Sequence, residues 1–103
     1  MTLLSITFHT DEHRIEEWEN FVENELIHEI NKFNTKYMLS EVDSEMLSEG
    51  KNTNLLLFFE NQNEINDFIE KTFSKVSQKI LEQFQESVLI FKTLLKNVKT
   101  NIE

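Results

Sequence analysis

His9 and His13 stand four residues apart with Glu16 and Glu17 close behind. Neutral imidazole and carboxylate are common metal ligands, so this is the first place to look for a metal site. The spacing argues against one. His9 ends an alternating, strand-like segment and His13 opens a helical one, so the two do not share a helical face. No metal is expected, and His9 and His13 are the residues to check. The third histidine, His28, falls about 220° around its helix from Ile15, away from the apolar stripe, and is expected at a surface or an interface. As a catalytic base it would need an oriented partner, and none is legible.

Tyr37, His28 and Lys92 are the polar groups left for a cofactor or ligand pocket, with His9 beside them. Lys92 is the odd polar residue on its strand face, between Ile90 and Leu94. It can reach the sheet edge, pair with Glu41 or Asp43 on another strand, or hold an anion; pairing is the expectation. Trp18 and the nine phenylalanines fall mostly on core stripes, so packing accounts for them better than a cofactor does. A single glycine excludes the usual dinucleotide and phosphate-loop fingerprints, and the absence of cysteine excludes disulfides, thiolate metal sites and a cysteine nucleophile. No cofactor is expected. Whether the chain is an enzyme stays open, because no catalytic constellation is recognisable.

The elements that must position these groups follow from periodicity. Thr2 to His9 alternates as a first strand, with Leu4, Ile6 and Phe8 on one side. Thr10 is placed to cap a helix beginning near residue 11, with Asp11 and Glu12 at the positive end of its dipole. In that helix Ile15, Trp18, Val22, Leu26, Ile30 and Phe33 form the core stripe, while Phe21 and Ile27 fall outside it. Glu16, Glu17, Asn20, Asn24 and Asn31 take the watery side, and Asn34 and Thr35 end the helix.

Tyr37 to about Met46 reads as a half-exposed or edge strand, because Glu41, Asp43 and Glu45 share a face. Ser48, Glu49, Gly50, Lys51 and Asn52 form the clearest turn, joining strands two and three as a hairpin. Strand three, Asn54 to Glu60, is apolar on both faces, so both must be buried. Asn61 and Glu64 make a capping box for the second helix, whose stripe is Ile65, Phe68, Ile69, Phe73, Val76, Ile80 and Phe84, with Thr72 in the same sector. Lys71, Lys75 and Lys79 form a basic edge that either meets water or docks the acidic first helix of another molecule; solvation is expected. Ser87 to Leu95 is the last strand, again apolar on both sides.

This order is strand, helix, strand, strand, helix, strand: an α+β, split β-α-β sandwich of ferredoxin-like type (βαββαβ). A four-stranded antiparallel sheet with two helices on one face leaves its other face uncovered. Residues 1–96 are read as a single domain and residues 97–103 as a polar tail that frays. The formal charge is −9, with twelve acidic and three basic side chains in residues 1–50 and seven of each in residues 51–103. Such a field repels polyanions, so nucleic acid is not an expected partner. The longest apolar run is Leu55 to Phe59, far short of the roughly 20 residues of a membrane span. With no signal-like start, the cytoplasm is the expected location.

Trp18 and Phe21 in helix one, the run Phe58-Phe59-Glu60-Asn61 leading into helix two, and Phe91-Lys92-Thr93-Leu94-Leu95 in the last strand resemble a small bacterial family known as domain of unknown function 4286. That resemblance implies a ferredoxin-like fold of the dimeric α/β-barrel type. The chain departs from the family pattern where Leu26 and His28 stand in place of a histidine and a proline, and Lys92 in place of an arginine. The family supplies no activity.

Two functions follow. The first is a non-enzymatic homodimer formed through the helix-free sheet face, burying Leu55, Leu57 and Phe59 or their alternates with one face of the last strand. The alternative is a small-molecule binder or cofactor-independent enzyme of monooxygenase-like type, using a cavity between sheet and helices or between two sheets.

Overall fold

The computed structural model describes residues 1–43 and 49–102. Four strands, β1 (Thr2–Thr10), β2 (Lys36–Val42), β3 (Lys51–Phe59) and β4 (Val88–Leu95), form one sheet in the order β2-β3-β1-β4. Every adjacent pair is antiparallel. The α+β, ferredoxin-like architecture expected from the sequence is what the chain adopts. The part of the expected second strand over residues 44–46, and Ser48 of the turn, lie outside the described residues.

Both helices cover the same sheet face. Leu4, Ile6 and Phe8 of β1 and Leu55, Leu57 and Phe59 of β3 are buried beneath them. The molecule is 19 Å across its shortest axis, the depth of one helix layer on one sheet.

The first helix, α1, spans residues 15–33 as Ile15–Phe21, a π turn Val22–Leu26, and Ile27–Phe33. The second, α2, spans residues 62–84 as Gln62–Phe68, a π turn Ile69–Phe73, and Ser74–Phe84. Each π turn follows seven residues of regular helix and begins just after a phenylalanine, in Phe21-Val22-Glu23 and Phe68-Ile69-Glu70.

These turns correct the helical wheel. A π turn brings residues five apart into line, so the apolar stripe changes phase halfway along each helix. Phe21, expected outside the stripe, is buried, stacks on Trp18 at 5.5 Å and falls in line with Leu26. Ile27, on the far side of the turn, is half-buried against the core. The polar positions Glu16, Glu17, Asn20, Asn24 and Asn31 are exposed as expected.

Helix entry also differs from the expectation. Thr10 does not cap α1; it is the last residue of β1, paired with Lys51 and Val88, and its buried Oγ1 has no hydrogen-bond partner among the described residues. Threonine suits both roles, and here the strand continues one residue further. A 3₁₀ turn, Glu12–Arg14, precedes α1. The Asp11 N–H donates to the Ser87 carbonyl and the Arg14 N–H to the Asp11 carbonyl, each at 2.9 Å. Asn34 ends α1 in the left-handed region at φ 62°. The Asn61 cap holds: its Oδ1 accepts from the Glu64 N–H at 3.0 Å, and the Glu64 carboxylate reaches back to the N–H of Glu60 at 2.9 Å.

Gly50 sits at φ +84°, and its N–H donates to Glu12 at 2.7 Å. A Cβ there would stand 2.6 Å from the Thr10 carbonyl oxygen and 2.8 Å from the His9 ring. Gly50→Ala is therefore expected to cost about 2 kcal/mol, from left-handed strain plus a backbone collision. For a domain of this size that lowers the melting temperature by roughly 10 °C, read by a thermal melt.

Candidate functional site

Alternation along four strands in the observed register sets sixteen side chains on the sheet face away from the helices. They form rows across β2, β3, β1 and β4. The first rows are Lys36, Phe58, Leu3, Leu95 and then Met38, Leu56, Ser5, Thr93. Ser40, Asn54, Thr7, Phe91 and finally Val42, Asn52, His9, Leu89 complete the face.

Large apolar side chains stand in water here. Met38 is 58% exposed, Phe91 56%, Leu89 46% and Leu95 37%. Asp and Glu make up 19 of the 103 residues, yet none of the sixteen is one of them. The register settles which set of β3 residues faces outward: Leu56 and Phe58, the alternates of Leu55, Leu57 and Phe59, lie on the open face.

The middle of this face is polar. Asn54 donates through Nδ2 to Ser5 Oγ at 3.0 Å and to Thr7 Oγ1 at 3.1 Å. His9 Nδ1 lies 2.6 Å from Asn52 Oδ1 one row further on.

Of the residues singled out from the sequence, only His9 and His13 come near one another. His9 faces the open side, whereas His13 is exposed in the 3₁₀ turn; with Asp11, Glu12, Glu49 and Gly50 they border an open hollow of about 210 Å³. Among the described residues no group of three or more His, Cys, Asp or Glu could hold a metal ion. His28 is exposed on α1, and Tyr37 is half-buried on the helix side of β2 against the core.

Lys92 does not make the expected pair with Glu41 or Asp43. It lies on β4 opposite Ile6, with β1 and β3 between it and β2, and its Nζ sits 5.2 Å above the Phe73 ring. Glu41 instead lies 4.0 Å from Lys51, which also meets Glu19 at 2.9 Å. Those three border an open groove of about 400 Å³ between α1 and β2, floored by Trp18, whose Nε1 donates to Thr53 Oγ1 at 3.2 Å.

On the basic edge of α2, Lys71 and Lys75 are exposed as expected, and only Lys79 meets the acidic helix of its own chain. Lys79 lies 3.1 Å from Glu25 and 3.6 Å from Glu29, and Lys32 lies 3.3 Å from Glu29. Burial pushes the Glu29 carboxyl up, but the Lys32 hydrogen bond and the charges of Lys32, Lys79 and Lys75 outweigh it and hold it below the usual carboxylate range. The hydrogen bond to Glu25 raises the Lys79 ammonium, with burial opposing it.

A lowered carboxyl stabilises the fold above its unfolded pKa and loses that contribution as pH falls through the folded value. Stability should therefore fall below about pH 4.5 as Glu29 protonates. Lys79 is 43% exposed and solvent screens its pairs, so Lys79→Met is expected to remove about 0.5–1 kcal/mol at pH 7 and to flatten that acid slope. Urea unfolding at pH 7, 5 and 3 measures both effects.

A family model described as Domain of unknown function (DUF4286) matches residues 1–98. The chain belongs to the DUF4286 family. No curated protein matches it. Among solved structures, this DUF4286 member is similar to HapK from Hahella chejuensis, with a TM-score of 0.71 at 8% identity over 100% of this chain and 98% of that one. It is similar to a dimeric ferredoxin-like protein from an uncultured marine organism, with a TM-score of 0.71 at 11% identity over 99% and 98%. A putative antibiotic biosynthesis monooxygenase from Deinococcus radiodurans gives 0.69 at 12% identity over 100% and 99%. At these identities the likeness is one of fold. Among the described residues no helix is long and apolar enough to cross a membrane.

Proposed function

We propose that this chain acts as a non-enzymatic homodimer whose two subunits meet through the open sheet face. The observation that carries this reading is the lack of carboxylates among the sixteen outward side chains of a chain with net charge −9. Two copies repel one another over most of their surface, and this face brings apolar area together without opposing like charges. The negative field that disfavours nucleic acid leaves this contact alone.

Size supports the same reading. Four strands at about 4.8 Å spacing and eight residues at about 3.4 Å give a footprint of roughly 520 Å². Side-chain relief brings this toward the ~800 Å² of accessible surface that each partner buries in a stable complex. The similar marine protein is a dimeric ferredoxin-like protein, which accords with a paired sheet.

Sedimentation equilibrium at micromolar concentration tests the reading. A mass twice the 12.3 kDa of one chain is expected, and a single-chain mass at tens of micromolar would overturn it.

A further inference from the structure

Interfaces that serve adhesion alone place apolar anchors at the centre and polar groups at the rim. The open face here departs from that order at its centre. Its geometric centre, two rows deep on β3 and β1, is Leu56, Asn54, Ser5 and Thr7, and three of these four are polar and mutually hydrogen-bonded. The long apolar side chains Met38, Phe58, Leu95 and Phe91 stand around them, sharing the border with Ser40, Thr93, Asn52 and His9.

Both N–H bonds of the Asn54 amide are spent within the subunit, on the two hydroxyl oxygens. Its Oδ1 remains as an acceptor, and the Ser5 and Thr7 hydroxyls, having accepted, each keep a proton to donate. Facing sheets stand about 10 Å apart, a spacing set by their longer side chains, so short residues opposite one another leave a hollow. Closing that hollow dry would cost about 1–3 kcal/mol for each unpaired polar group. A molecule offering both donors and acceptors offsets the cost, and no charged side chain among these central residues would balance a charge on it.

We infer that the paired sheets enclose a binding chamber for a small uncharged molecule carrying both hydrogen-bond donors and acceptors, read by Asn54, Ser5 and Thr7 of each subunit. This rests on the homodimer proposed above.

Benzamide is the neutral probe, with benzoate and benzylamine as charged probes of the same shape. In ¹⁵N-labelled wild-type dimer, benzamide at up to roughly 10 mM is expected to shift the Asn54 side-chain amide resonance, and the charged probes to bind about tenfold more weakly or less. Asn54→Leu, and separately the double variant Ser5→Ala with Thr7→Val, are each expected to lose about tenfold in benzamide affinity while remaining dimeric. Two variants are used so that misfolding of one leaves the other to decide.

A wild-type dimer whose spectrum benzamide leaves unchanged overturns the chamber alone, as does unaltered affinity in a folded variant. Sedimentation as a single chain overturns the homodimer first, and the chamber with it.

Discussion

Replacing Phe91 by glutamate is expected to split the homodimer, weakening self-association about a hundredfold or more, equivalent to about 2.7 kcal/mol. Phe91 is 56% exposed and projects from an edge strand, so the subunit itself should change stability by no more than about 0.5 kcal/mol. In a symmetric pair the substitution acts twice, placing two carboxylates on a face that has none among its sixteen outward residues. Each must shed water without a cation prepared for it, since the nearby side chains of its row are Thr7, Asn54 and Ser40. Phe91→Leu, which keeps the apolar contact, should leave the dissociation constant within about tenfold of the original. Sedimentation across a concentration series reads both variants, and an unchanged constant for Phe91→Glu would place the interface elsewhere.

Trp18→Ala is expected to be the most damaging single substitution for the fold, at about 3–5 kcal/mol. The indole is fully buried, with the Phe8, Phe21 and Phe84 rings centred 5.1, 5.5 and 5.7 Å away. It ties β1, α1 and the end of α2 into one aromatic cluster. Its removal leaves a cavity and strips Thr53 Oγ1 of its donor in a buried setting. Domains of this kind hold about 5–15 kcal/mol in total, so the alanine variant should be partly unfolded at 37 °C. Trp18→Phe restores most of the volume but not the donor, and should cost about 1–3 kcal/mol. Urea unfolding of the three proteins separates packing from the hydrogen bond.

The element order, the strand alternation and the Asn61 cap were all legible in the residues, because each depends on neighbours within a few positions. What depended on distant partners was not. Strand β3 carries leucine or phenylalanine on both faces from Leu55 to Phe59, so its sequence alone does not say which set meets the helices. The pairing of Ser5 and Thr7 with the Leu56 and Asn54 side decides it. Lys92 was expected to find an acid on another strand, but strand order sets Glu41 two strands beyond its neighbour β1. The carboxylate-free face is itself a product of register: four separate segments must be aligned before its composition can be seen.

Phe21 was misplaced for a different reason. A wheel turning a constant 100° per residue has no place for a five-residue turn.

The wide turns in the middle of α1 and α2 bear on how this chain tolerates changes in length. Removing one residue from 22–26 or from 69–73 would restore an ordinary helix and so improve backbone regularity. Phe21 and Leu26, or Phe68 and Phe73, now five apart and in line, would become four apart, a spacing an ordinary helix also brings nearly into line, so Leu26 and Ile30, or Val76 and Ile80, would stay over the sheet. A one-residue deletion is thus absorbed at the wide turns, whereas the same deletion in the regular stretches Ile15–Phe21 or Ser74–Phe84 would shift the core stripe, and the backbone that appears least regular is the part that can be shortened.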